Sequence, residues 1–248
     1  MTTSIRVDPP FWRHDAYTLR RLAEGVISAI PEVLPAPTST AACVVDMGAG
    51  DAPYRSLFEA RGARYVACDI DAPEGGETLR IDIGRPLPLA AGCAQVVVSF
   101  QVLEHVWDLD WYLGEARRLL APEGHLLLST HGIWLYHPHP TDFRRWTRAG
   151  LIAELEQRGF EIRSVRALVG PLAWTTQFRA LGWNRLLQAL PFVGPWVAGL
   201  SNALHHLRMR LEDALTPRDW AEDNAAVYLV VATPRRAAPT SALMTAAS

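Results

Sequence analysis

The chain has 248 residues, 49% of them apolar and 20% charged, with a formal net charge of −2. That composition supports a well-packed soluble core and excludes an unstructured chain, and the near-neutral balance gives no general attraction to nucleic acid or anionic lipid. Three cysteines, Cys43, Cys68 and Cys93, with no CxxC pair, make neither a disulfide framework nor a zinc site.

In chain order, residues 1–13 are expected to form a flexible lead-in without the apolar core of a secretory signal. No apolar run reaches the ~18–20 residues that span a bilayer, so the expected setting is reduced and cytoplasmic. Residues 14–30 carry Tyr17, Leu19, Leu22, Val26, Ile27 and Ile30 at helical spacing, with Pro31, Pro35 and Pro37 expected to close the helix. Strands are predicted at 42–47, 64–70, 79–83, 94–100 and 124–130, with helices at 53–61 and 110–120 between them. The valine run of 94–100 suits a strand buried on both faces. Two more strands follow at 160–168 and 225–233, separated by a helical insertion over 170–220. Residues 235–248, rich in Ala, Thr and Pro, are expected to be a disordered tail. This order predicts one α/β domain over 1–234: a Rossmann-like, seven-stranded, mostly parallel sheet with helices on both faces, an N-terminal helix and a helical lid.

Four features fall at successive strand ends. The first strand runs through Asp46 into Gly48-Ala49-Gly50, where glycines permit a tight turn and close backbone approach to a ligand. About twenty residues on, the second strand ends in Asp69-Ile70, and an acid there can accept hydrogen bonds from both hydroxyls of a ribose. The third ends in Asp82-Ile83. The fourth leads into Gln101-Val102-Leu103-Glu104-His105-Val106. Ligands of such sheets lie beyond the carboxyl ends of the strands, so these features can converge on one nucleoside.

The Asp46-x-Gly48-x-Gly50 turn, Asp69, Asp82 and the Val102–Val106 run resemble class I methyltransferases of the type 11 group. That resemblance implies S-adenosylmethionine as cofactor, S-adenosylhomocysteine as product, and cofactor contacts at Asp46, Gly48, Gly50, Tyr54, Asp69, Ile70, Asp82, Ile83 and Gln101. Ala49, where many relatives have Cys, and the Ile83-Gly84-Arg85 loop depart from the pattern. A dinucleotide-binding domain is the rival, but Pro53 takes the place of its third glycine.

The stretch from His131 to Thr147, with His137-Pro138-His139-Pro140 and Asp142, follows the fifth strand and should overhang the reacting end of the cofactor. It resembles a segment of bacterial methyltransferases of glycan and envelope biosynthesis. The functional reading makes His131 or His137 a base for a substrate hydroxyl, with Asp142 orienting a histidine and His105 as a further candidate. The competing reading has proline-stiffened histidines bonded to backbone and Asp142 paired with an arginine. A metal site is not expected, because no metal-ligand spacing occurs.

Six of the nine tryptophans follow residue 130. Trp146 and Trp220 are expected in the core, and Trp134, Trp174 and Trp183 at an acceptor pocket. Residues 186–200 are strongly apolar and flanked by Arg179, Arg185, Arg208 and Arg210. A lid, a homodimer contact or a peripheral membrane contact would each suit them. The expected activity is O-methylation of a sugar or glycan hydroxyl, with a polyketide or other small metabolite as alternative acceptor, or a non-catalytic cofactor-binding partner protein. The charge balance and Gln101-Val102-Leu103-Glu104 in place of an Asn-Pro-Pro-Tyr type signature disfavour a nucleic-acid acceptor.

Overall fold

The computed structural model of the protein describes residues 4–35, 41–73 and 75–235. Pro37 and nearly all of the expected tail lie outside them. Seven strands form one sheet: β1 (Cys43–Met47), β2 (Arg64–Asp69), β3 (Leu79–Arg80), β4 (Ala94–Phe100), β5 (Leu120–His131), β6 (Phe160–Leu168) and β7 (Val227–Pro234). Their order across the sheet is β3-β2-β1-β4-β5-β7-β6. The pairings from β3 to β5 are parallel, and β7 runs antiparallel between β5 and β6. The order reverses between β1 and β4, which opens a crevice at the carboxyl ends of those two strands.

All five residues of β1 are buried. Their alternation sends Val44 to one face of the sheet and Val45 and Met47 to the other. On the first face lie α1 (Ala16–Val33) and α2 (Arg55–Glu59). On the second lie α3 (Leu109–Leu119) and α4 (Arg148–Gln157). Helix α3 starts where the Asp108 carboxylate accepts from Trp111 N at 3.0 Å, and α4 starts where Thr147 Oγ1 accepts from Gly150 N at 3.0 Å. Such caps satisfy backbone donors that have no helical partner. Three helices separate β6 from β7: α5 (Pro171–Gln188), α6 (Gly194–Leu215) and α7 (Arg218–Asp223).

Several expectations need correction. Pro31 lies inside α1, which continues to Val33. Proline removes one N–H bond, and so close to a helix end little ladder remains to be broken. The lead-in is tied down over its described part: Arg20 donates to Pro9 O at 2.8 Å and pairs with Asp8, and Val7 packs on the core. Strand β3 is shorter than expected and β5 starts earlier. Trp146 is buried as expected, but Trp220 is 45% exposed on α7.

Candidate functional site

The turn after β1 is built from backbone. Gly48 N and Ala49 N both donate to Cys68 O, at 2.8 and 2.9 Å, locking the turn onto the end of β2. Gly48 has φ +87°, and a Cβ there would stand 2.6 Å from Val102 Cγ2. Gly50 has φ +53° and nothing within 4 Å of where its Cβ would be. One glycine is therefore required by crowding, and the other leaves open space beside the chain.

Asp69 ends β2 beside that space. Its Oδ2 accepts from Gly50 N at 2.7 Å and its Oδ1 from Asp71 N at 3.0 Å. Each oxygen keeps a lone pair after those bonds, so a vicinal diol can still be received. Asp46 lies beneath the turn and is 2% exposed. Burial pushes its carboxyl up to about 7, against the opposing hydrogen bond from Tyr65 Oη. Its Oδ1 is buried without a partner.

The remaining expected contacts scatter around this centre. Ile70 is half-buried, while Asp82 and Ile83 are exposed after β3, with Asp82 3.7 Å from Arg80. Tyr54 is buried, its ring edge-on to Phe100 at 4.8 Å. Gln101 adopts φ +56°, and its Nε2 donates to Ser129 Oγ at 3.0 Å. Positive φ at a non-glycine residue costs energy that surrounding contacts must offset, and here both the backbone and the side chain of Gln101 are held by Ser129.

Beyond β4 and β5 the structure gathers the histidines. His131 ends β5, 6% exposed, with its Nδ1 2.9 Å from Oε1 of Glu104. Glu104 is fully buried, and its Oε2 accepts from Thr130 Oγ1 at 2.8 Å. Burial alone would raise the Glu104 carboxyl, but His131, with lesser help from backbone and Thr130, outweighs it and holds the group below its ordinary value. The His131 ring stacks on Trp134 at 5.2 Å and meets His137 edge-on at 6.1 Å. His137 in turn neighbours His105 at 5.8 Å and His139 at 5.0 Å. His105 Nδ1 is engaged by Thr141 O at 2.7 Å, so that nitrogen carries the proton and Nε2 is left as an acceptor. Burial and the surrounding imidazoles lower the His137 pKa. Among the described residues no three His, Cys, Asp or Glu side chains are placed to hold a metal ion.

Asp142 requires a correction. Its carboxylate takes both arms of Arg145, at 2.5 and 2.6 Å, and this pairing holds it down at about 2. It reaches His137 through the backbone, accepting from His137 N at 2.7 Å. The carboxylate that faces an imidazole is Glu104. Glu104 has no role assigned from the sequence, where it stands 27 positions from His131 and beside another histidine, His105. The available signal was an acid at a strand end among Val102, Leu103 and Val106.

Helix α5 lies over this cluster: Phe178 meets Trp134 edge-on at 5.6 Å and Trp174 at 5.2 Å. Trp183 is half exposed and stands apart from these ring contacts. Near the start of α1, Tyr17 Oη donates to Asp213 Oδ2 on α6 at 2.7 Å, and its ring packs edge-on against His206.

A known family model, described as a methyltransferase domain, matches residues 12–184. The chain belongs to that family. A probable S-adenosylmethionine-dependent methyltransferase of Mycolicibacterium smegmatis is 32% identical over 133 residues, 48% of this chain and 52% of the relative. The chain thus spans about half the length of that relative. An uncharacterized methyltransferase of Mycobacterium sp. strain JLS is 30% identical over 205 residues, 75% of this chain and 81% of that one. Among solved structures, the [4+2]-cyclase SpnF superposes with a TM-score of 0.57 at 16% identity, covering 89% of this chain and 83% of that one, a likeness of fold. S-adenosylmethionine is the cofactor that the family and the named relative imply for the strand-end crevice. The residues fit it: open space at Gly50, spare acceptor capacity on Asp69 and an orphaned buried oxygen on Asp46 all lie at that crevice.

Proposed function

We propose that the protein methylates a hydroxyl of a sugar or glycan, with S-adenosylmethionine as donor. In this reading Asp69 receives the ribose hydroxyls, the backbone of Gly48–Gly50 lies along the cofactor, and Asp82 and Ile83 flank its adenine. Ile70, Tyr54, Asp46 and Gln101 complete or support that wall. When bound, the cofactor supplies a sulfonium methyl carbon that takes the electron pair of the attacking oxygen as the carbon–sulfur bond breaks. The hydroxyl proton must then leave, and an imidazole can accept it.

The single observation that carries this reading is the buried Glu104–His131 pair at the end of β5, facing the histidine cluster. A carboxylate this close to Nδ1 favours the positive charge that the ring takes on when its Nε2 accepts a proton. His137 is the other candidate base: its lowered pKa keeps it neutral near pH 7, ready to accept a proton. His105, with Nε2 free, can bind the same hydroxyl. Asp142 and Arg145 are assigned to hold the loop that presents His137. Residues 4–234 are read as one catalytic domain, with α5 and α6 as its lid, since Phe178 packs onto Trp134 beside His131.

The test is transfer of a labelled methyl group to a panel of sugars, glycans and phenolic metabolites. Methylation of a sugar hydroxyl, lost in His131→Ala or His137→Ala while cofactor affinity is kept, is the expected result. Full turnover in both variants removes the proposed base, and methylation of phenolic acceptors alone removes the acceptor class.

A further inference from the structure

Helix α6 shows two contrasting faces. Ala198, Asn202, His206 and Met209 are buried against the body of the protein. On the opposite side Trp196, Leu200, Leu204, Leu207, Leu211 and Leu215 are all exposed, by between 61% and 82%. At roughly 100° per residue these six fall within a sector of about 100°, a continuous apolar stripe along a helix of 22 residues. The turn leading into α6 ends the stripe with Phe192, which is 99% exposed. The Trp12 side chain lies against the same helix at Gly199 and is itself 54% exposed. A row of large apolar side chains this long marks an interaction surface.

The charges around the stripe decide what it meets. Residues 171–211 contain Arg179, Arg185, Arg208 and Arg210 and no Asp or Glu. On the same helical projection Arg208 and Arg210 fall on opposite margins of the stripe. A second copy docked through this stripe about a two-fold axis would bring the Arg210 margin against its own counterpart, while Arg208 is already paired with Glu212 at 2.7 Å. An apolar stripe with aromatic residues at one end and an excess of cations around it complements an anionic interface that has an apolar layer beneath. No helix among the described residues is long and apolar enough to cross a membrane, so the helix would lie in the surface plane.

We propose that the α5–α6 hairpin docks the protein on the surface of a bilayer containing anionic lipid. The stripe and Phe192 enter the headgroup region, and the flanking arginines meet lipid phosphates. The net charge of −2 does not oppose this, because residues 171–215 hold four arginines against Glu212 and Asp213 alone, and surface charges beyond a Debye length are screened. The inference stands apart from the acceptor assignment and would hold for any substrate.

The experiment is co-sedimentation of the full chain with phosphatidylcholine vesicles, with and without phosphatidylglycerol, together with sedimentation velocity in the absence of lipid. At least tenfold greater binding to the phosphatidylglycerol vesicles is expected, weakened by high salt. Phe192→Ser combined with Trp196→Ser, and separately Arg179→Gln combined with Arg185→Gln, should each lower binding at least fivefold. Unchanged titration with S-adenosylhomocysteine keeps each variant's fold under control. No preference for anionic vesicles, or binding unaffected by either variant pair, overturns the proposal. A dimer that dissociates in Leu204→Glu, from a wild type that ignores vesicles, overturns it in favour of a second copy.

Discussion

The crevice beyond β1 and β4 and the outer face of α6 both meet solvent, yet they are built in opposite ways. At the crevice the geometry is fixed by backbone: Gly48 and Ala49 are bonded to Cys68, Gly50 and Asp71 to Asp69, and Gln101 to Ser129. The polar groups that such a bend exposes are satisfied internally. On α6 the backbone is an ordinary helix, and the unusual feature is side chains, large and apolar, left outside. Changes at the crevice should therefore act through conformation and ligand binding, whereas changes on α6 should leave the fold nearly untouched and act on association.

The largest expected effect is at Gly48. A valine there must leave positive φ or displace Val102, which leads directly into Leu103 and Glu104. We expect Gly48→Val to weaken S-adenosylmethionine binding at least 100-fold by calorimetry, about 2.7 kcal/mol. Near-native affinity would show that the crowding at Val102 relaxes freely.

Next comes Glu104→Gln, which keeps the side chain's shape and the bond from Thr130 but removes the charge facing His131. Turnover should fall by about 10²-fold, at the low end of acid–base effects, with cofactor affinity within about twofold. The same assay should show kcat/KM rising with pH through a limb below the ordinary imidazole value of 6.5, since burial and neighbouring imidazoles lower His137. A limb at or above 6.5 would count against His137 as the base.

Asp46 acts on stability and its pH dependence, not on turnover. Its folded carboxyl titrates at about 7 against a reference of 3.8, so the folded state holds a proton that the unfolded chain releases earlier. Its contribution is thus most favourable below the reference value and is lost as pH rises from about 4 to about 7. Asp46→Asn should remove that slope, gaining on the order of a few kcal/mol relative to wild type at pH 8 compared with pH 4, as read from denaturant midpoints. A constant difference across the range would show that Asp46 is charged throughout.

The smallest effect is expected on α6. Trp196→Ser should change stability by no more than about 0.5 kcal/mol and leave cofactor affinity unchanged. By comparison Leu127→Ala, a fully buried site in β5, should cost about 2–5 kcal/mol. A large loss at Trp196 would mean that the stripe supports the fold.

The sequence by itself determined the element order, the two-faced burial of the central strands and the ligand end of the sheet. Each is set by local chemistry: valine runs, glycine turns and acids at strand ends recur at spacings that a parallel sheet brings together. It also marked the histidine-rich stretch, but not which acid serves it. Asp142 is five residues from His137 and was the natural partner by spacing, yet the nearby Arg145 captures it. Glu104 lies 27 positions before His131, and only the neighbouring ends of β4 and β5 bring the two side chains together. The same limit applied to 186–200. Apolar content there was legible, but which residues would be covered was not, since that depends on the face α6 turns toward α1 and α5. Tertiary packing buried Ala198, Asn202, His206 and Met209 and left the leucines outside, because one face of a helix must meet the core and the hydrophobic stripe was on the other.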